Sequence, residues 1–255
     1  MKSPIVLIGV GEMGGVFARA LLRTGHPVYP ITRDMDMAAE ADALPDPALA
    51  LVAVAEKDLD AVLDHLPAAW RSRAGLLQNE LLPRDWQAHD LVDPTVISVW
   101  FEKKKGQDAK VLIPSPAFGP KADLLVSALQ GIDIAARTVA DATAMRDELV
   151  LKNVYILTTN IAGLEVGGTV SDLWRDHEAL AREVAGEVIG IQASLTGERL
   201  DTEALIQGML VAFDGDPEHG CMGRSAPARL TRALELADQA GLSVSKLRAI
   251  AATRL

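Results

Sequence analysis

The chain has 255 residues, enough for one large domain or two modest ones, and at 49% apolar content it can bury a substantial core. A net charge of −10 and a pI near 5.0 argue against sequence-independent nucleic-acid binding. Cys221 is the only cysteine, so neither an intramolecular disulfide nor a cysteine-based metal cluster can form. No apolar run reaches the ~18 residues that a membrane span needs, and Met-Lys-Ser-Pro leads straight into a first strand without a signal-peptide pattern. A cytoplasmic location with no nucleic-acid or membrane partner is expected.

Residues 4–15 read PIVLIGVGEMGG. Ile5 to Ile8 form the near-continuous apolar run of a buried parallel strand. The run ends in G-x-G-x-x-G, formed by Gly9, Gly11 and Gly14 with Val10, Glu12 and Met13 between them. A helix-patterned segment, Val16–Leu22, follows and stops at Gly25. Glycines at a strand-to-helix junction allow a tight turn, close approach of a pyrophosphate, and close packing of helix on strand. The helix N-terminus then offers N–H groups and a positive dipole end to phosphate. Dinucleotide binding is the expected role of Gly9–Gly14. Glu12 fits uneasily, because its carboxylate suits a helix N-terminus yet lies where an anionic cofactor would approach.

The second strand, His26–Ile31, runs into Thr32-Arg33-Asp34. An acid at this point serves ribose hydroxyls, whereas an arginine serves a 2′-phosphate. Thr32 and Arg33 occupy the position, so NADP(H) is expected in preference to NAD(H). Further strands are expected at Leu49–Ala55, Ala74–Gln78 and Thr95–Phe101, with later edge strands at 111–113 and 132–135. Helices are expected at Asp58–Leu66 and Lys121–Gln130. Such alternation implies an α/β fold: an N-terminal Rossmann-like, doubly wound, mostly parallel sheet over residues 1–138. The charged segment EKKKGQD at 102–108 reads as a solvated hairpin loop rather than a phosphate site. Asn79 follows the fourth strand, either as a turn residue or as an amide at the strand ends.

After Thr138 the pattern becomes helical, giving an all-helical domain over residues 139–255 for substrate binding and dimerisation. Helices are expected at Asp141–Ala162, from a Ser171-Asp172 cap to Gly197, and at Asp201–Phe213, Pro227–Ala240 and Ser243–Thr253. At about 100° per residue, Glu148, Lys152, Tyr155, Ile156, Thr159, Asn160 and Gly163 share one face of the first helix. Val150, Val154, Leu157 and Ile161 share the other. The polar face suits either a cleft or water. A lysine in a half-buried cleft can act as a general acid toward a carbonyl oxygen. The five histidines show no metal-ligand spacing. FDGDPEHG at 213–220 lacks a calcium ligand ladder, so no metal site is expected.

The chain resembles ketopantoate reductases. More broadly, it resembles reductases that join a Rossmann domain to a helical C-terminal domain of the 6-phosphogluconate dehydrogenase kind. The resemblance rests on GVGEMG at 9–14, Thr32-Arg33, Gln78-Asn79, and Lys152 with Asn160 eight residues on. It implies that the glycine loop and Arg33 hold NADPH and that Asn79 contacts the reaction centre. It further implies that Lys152 donates the proton, that Asn160 binds substrate, and that the protein can form a homodimer. The chain departs from the family pattern at Glu80 (usually Gly), Ile156 (usually Asn), Gly215 (usually Ser) and Arg229 (usually acidic). These departures argue against ketopantoate itself. Arg224 and Arg229 read first as surface charges, with anion binding as the alternative. The expected activity is hydride transfer from NADPH to a C=O of a small polar, 2-oxo-acid-like molecule. A non-catalytic NADP(H)-binding sensor or scaffold and an imine or pyrroline reductase remain as other readings.

Overall fold

The structure is a computed structural model describing residues 2–255. In chain order it comprises β1 (Ile5–Ile8), α1 (Glu12–Arg23), β2 (Val28–Ile31), α2 (Met37–Ala43) and β3 (Leu49–Val52), then a single 3-10 turn at Glu56–Asp58. Next come α3 (Leu59–Asp64), α4 (Ala68–Arg71), β4 (Ala74–Leu76), α5 (Pro83–Gln87), β5 (Thr95–Ile97), β6 (Phe101–Glu102) and β7 (Lys110–Val111). They are followed by β8 (Ser115–Phe118), α6 (Ala122–Gln130) and β9 (Ala136–Thr138). Five helices complete the chain: α7 (Ala142–Val166), α8 (Val170–Thr196), α9 (Thr202–Gly215), α10 (Ala226–Gln239) and α11 (Ser245–Arg254).

Seven strands form one sheet in the order β2-β1-β3-β4-β5-β8-β9. All neighbours are parallel except β5 and β8. Ile5, Leu7, Leu49, Leu51 and Ile97 project to one face, where they meet Phe17, Ala20 and Leu21 of α1 and Leu125 and Leu129 of α6. Val6, Ala50, Val52 and Leu76 alternate to the other face and are equally buried. On that side α4 lies against β3, with Trp70 fully enclosed and its indole N–H donated to the Leu44 carbonyl at 2.8 Å. Burial on both faces explains why these strands read as apolar runs rather than alternating ones.

The sheet departs from the sequence expectation on its later side. The run Thr95–Phe101 divides into β5 and β6, and β6 leaves the main sheet to pair with β7 as a separate two-stranded ribbon. Residues 111–113 therefore do not supply an edge strand of the main sheet. The outer strand is Ala136–Thr138 rather than 132–135. The inserted strand β8, with the sequence SPAF, was not legible. Proline has no N–H for a ladder, but the pairing here avoids that need. The Pro116 carbonyl accepts from Ser98 N–H at 2.9 Å, and Ser115 N–H donates to Ala135 at 3.0 Å.

Past Thr138 the described residues form helices, with one isolated bridge between Thr169 and Gly220. Asp141 starts α7 by accepting from Ala144 N–H at 2.9 Å. The α8 cap is Thr169, two residues before the expected Ser171-Asp172 cap. Thr169 and Asp172 form a reciprocal capping box, and the helix closes on Gly197 at φ 69°. The chain divides into two compact units, Met1–Leu149 and Val150–Leu255. That division falls inside α7 rather than at the 138/139 change of pattern. No helix among the described residues is long and apolar enough to cross a membrane.

Two glycines separate backbone constraint from helix propensity. A Cβ at Gly14 would collide with the Gly9 carbonyl, whereas Gly186, exposed in α8, has open space where a Cβ would stand. Gly14→Ala should lower stability by about 1–3 kcal/mol through overpacking. Gly186→Ala should raise it by about 0.5–1 kcal/mol. Urea denaturation of the two variants checks both signs.

Candidate functional site

Strands β1 to β5 run parallel, so the residues after them emerge at one edge of the sheet. Gly9 leaves β1 at φ 95°, donating its N–H to the Ile31 carbonyl at 3.0 Å. A Cβ on Gly9 would sit 2.9 Å from the Ala53 carbonyl oxygen, while one on Gly11 would meet nothing within 4 Å. The three glycines thus divide the work: Gly9 turns, Gly14 lets α1 press on the β1 end, and Gly11 leaves its surroundings open. Gly11 is also the N-cap of α1 and offers no side-chain cap to the first turn, so the N–H groups of that turn have no side-chain competitor for an anion. Val10 is half exposed, Glu12 is exposed, and Met13 packs on the core. This cradle fits a dinucleotide pyrophosphate.

Thr32 and Arg33 follow β2 and are exposed, as is Asp34. The Arg33 side chain is 88% exposed and lies 3.7 Å from the Asp58 carboxylate. Asn79, three residues past β4, donates its Nδ2 to Glu56 Oε1 at 3.2 Å. Both partners come from the single turn after β3. That turn therefore orients a guanidinium on one side and an amide on the other. Gln78 is buried and its amide donates to the Val52 and Val54 carbonyls at 2.9 and 3.3 Å, tying the β4 end to the β3 end. Glu80 stands at φ 62°, a left-handed conformation that costs a side-chain-bearing residue about 1–2 kcal/mol. Glu80 stands where the resemblance to ketopantoate reductases leads one to expect glycine, and its backbone takes a conformation that glycine adopts freely.

The charged hairpin between β6 and β7 is only partly the solvated loop expected. Lys104 pairs with Glu102 at 3.1 Å with its side chain 60% exposed, and Lys105 is exposed. Lys103, however, is 20% exposed and its Nζ lies 3.3 Å from Glu12. Both residues line a cavity of about 610 Å³ that also takes in Gly11, Gly15 and Arg19. Sequence reasoning passed over Lys103 because a lysine run has no periodicity to mark one member as turned inward.

In the second unit, α7 exposes no residue between Val150 and Gly163. Val150, Val154, Leu157 and Ile161 are enclosed as expected, but so are Lys152, Tyr155, Thr159 and Asn160 on the other face. The polar face therefore does not turn to water. Its neighbours explain this. Asn153 donates to Gln192 of α8 at 3.0 Å, Tyr155 packs edge-on against Phe213 of α9 at 5.8 Å, and Gly208 of α9 accommodates Leu151. Gly163 lets the 219–222 loop lie directly on the helix, since a Cβ there would come within 2.9 Å of Cys221.

That loop sets Asn160, whose Nδ2 donates to the Cys221 carbonyl at 3.3 Å and whose Oδ1 accepts from Arg229 Nη1 at 2.9 Å. Arg229 is buried and is not the surface charge first read from its place near a helix start; Arg224 is exposed. Lys152, 9% exposed, has Nζ 5.4 Å from the centre of the Tyr155 ring. Burial, and then the nearby Arg229 guanidinium, hold its pKa down to about 7. Asn160 and Arg229 are thus directly paired, and the Arg229 charge acts on Lys152. Cys221 has its thiol pushed up to about 12 by burial, which leaves it protonated and unreactive at neutral pH. Asp216 and His219 stand 3.6 Å apart in a turn of the FDGDPEHG segment. Among the described residues no three His, Cys, Asp or Glu side chains are grouped to hold a metal.

No protein-family model matches the chain, and no curated protein matches it in sequence. Solved structures do match over its full length. One is a PanE/ApbA family ketopantoate reductase from Ralstonia eutropha JMP134, with TM-score 0.69 and 16% identity over 99% of this chain and 96% of that one. A dimeric ketopantoate reductase from Staphylococcus aureus matches with TM-score 0.67 and 17% identity over 98% and 96%. D-mandelate dehydrogenase, in a ternary structure with NADH and anilino(oxo)acetate, matches with TM-score 0.66 and 13% identity over 97% and 96%. The chain therefore has the fold of these enzymes, a Rossmann-like domain followed by a helical domain, at a low level of sequence identity.

Proposed function

We propose that the protein is an NADP(H)-dependent reductase that converts the C=O of a small 2-oxo-acid-like substrate to an alcohol, with Lys152 as proton donor. The observation that carries this reading is the buried Lys152 whose pKa is lowered to about 7. A general acid works best when its pKa lies near the operating pH, and perturbed buried lysines concentrate at functional sites. The fold likeness to ketopantoate reductases and D-mandelate dehydrogenase supports an oxidoreductase acting on CH–OH/C=O. The oxo acid named in the D-mandelate dehydrogenase structure supports the substrate class.

The nicotinamide cofactor, when bound, supplies the hydride. The N–H groups at the α1 start hold its pyrophosphate, and Gly11 leaves room for it. Arg33 pairs a 2′-phosphate. Lys152 stabilises the negative charge developing on the carbonyl oxygen and delivers the proton. Asn160, held by the Cys221 carbonyl and Arg229, offers a fixed amide to the substrate, and Asn79, held by Glu56, does the same for the reaction centre. Ketopantoate is disfavoured as the substrate because Ile156, Gly215 and Arg229 stand at polar positions of the family pattern. The same departures favour the second reading, a non-catalytic NADP(H) sensor. NADPH oxidation against a panel of 2-oxo acids and imines separates reductase, imine reductase and sensor. Homodimerisation is proposed from the dimeric ketopantoate reductase of like fold, and sedimentation reports it.

Arg33→Ala should weaken NADPH binding by ten-fold or more while barely changing NADH. A lost charge-assisted phosphate contact costs about 1.5–3 kcal/mol, at 1.4 kcal/mol per decade. Fluorescence titration of both cofactors measures it, and equal wild-type affinities for the two would refute NADP(H) preference. Lys152→Ala should cut turnover by roughly 10²–10⁴-fold with NADPH affinity unchanged. The wild-type reduction rate should hold below about pH 7, where Lys152 is protonated, and fall about ten-fold per unit above it. A profile flat to pH 9 would remove Lys152 as the acid.

A further inference from the structure

The glycine loop carries a carboxylate where an anionic cofactor should lie. Glu12 is the first residue of α1, so it shares the helix N-terminus that the pyrophosphate would occupy. A negative side chain there benefits from the dipole but repels a second anion. Space is not the obstacle, since a Cβ on Gly11 or on Gly15 would meet nothing within 4 Å. What stands against a pyrophosphate at this helix end is therefore charge.

Lys103 answers that charge from a distant part of the sequence. Its Nζ is 3.3 Å from Glu12 Oε2, with the lysine 20% and the glutamate 47% exposed. The same Nζ donates to the Lys104 carbonyl at 2.8 Å, so the hairpin backbone holds the lysine in place. Its position has more to say. Both side chains line the cavity of about 610 Å³ that includes Gly11 together with Arg19, Asp108 and Asp133, so the pair stands beside the cradle.

We infer that Lys103 is a positioning residue for dinucleotide binding: it holds Glu12 as a neutral pair, so that the α1 N-terminus can take a pyrophosphate. The inference rests on the reading of the glycine loop as a dinucleotide site. It makes the β6–β7 ribbon, which belongs to no part of the main sheet, a component of the cofactor site.

The test is a double-mutant cycle on the full chain, with NADPH and NADH titrated by fluorescence. Lys103→Ala should weaken both cofactors by about ten-fold, equivalent to 1.4 kcal/mol. Lys103→Arg should restore the affinity. Glu12→Gln should bind as tightly as wild type or more tightly. The combined Glu12→Gln, Lys103→Ala protein should return to within about three-fold of wild type, because removing the carboxylate removes the need for its counter-ion. An unchanged affinity in Lys103→Ala overturns the proposal. So does an equal loss in the Glu12→Gln background, which would make Lys103 a direct phosphate ligand. Thermal unfolding of each variant guards against a folding defect. A well-folded wild type that binds neither cofactor takes down the dinucleotide reading and this inference together, an outcome distinct from a failure of Lys103 alone.

Discussion

The contact on which the N-terminal unit depends is the approach of α1 to the end of β1, where Gly14 lies directly against the Gly9 carbonyl. Helix and strand meet there with no side chain between them. That closeness aims the first turn of α1 along the sheet edge, and it brings Phe17, Ala20 and Leu21 down onto Ile5 and Leu7. The same step that closes the core therefore presents uncapped N–H groups at the edge where the other parallel strands also end. Packing and ligand cradle are one geometric solution.

The rest of that edge is assembled by short-range polar contacts. A single turn after β3 supplies Glu56 to Asn79 and Asp58 to Arg33, so two side chains with different proposed tasks share one support. Gln78 ties the β4 end to the β3 end through two carbonyls. Glu80 takes a left-handed backbone in the turn after β4, a conformation that glycine would adopt freely.

The helical unit solves a different problem. Between Leu149 and Gly163 its first helix exposes no residue, which puts a premium on partners for the polar side chains there. Asn153 takes Gln192, and Asn160 takes Cys221 and Arg229. The charge of Lys152 is expensive to keep in that enclosure, and its depressed pKa follows first from burial and then from Arg229. An arginine at the place where an acid was expected changes the electrostatics of the whole group. The Arg229 guanidinium adds to burial in pushing Lys152 toward neutrality.

The sequence by itself determined the parts that local rules govern. The glycine spacing, apolar strands and capping residues set β1, α1, the parallel core and the succession of helices after Thr138, because each depends on neighbours within a few residues. The places of Gly9, Gly11, Arg33 and Asn79 were legible for the same reason: each lies within three residues of a strand end. Only the tertiary structure decided the remainder. Strand β8 exists because β5 and β9 flank it, against the poor strand propensity of SPAF. The enclosure of Lys152 and the inward turn of Arg229 depend on helices and a loop that periodicity along α7 cannot see. Lys103 reaches Glu12 across 91 positions. Burial and pairing between distant segments are properties of the packed chain, and they set the ion pair at the loop and the enclosure of the lysine.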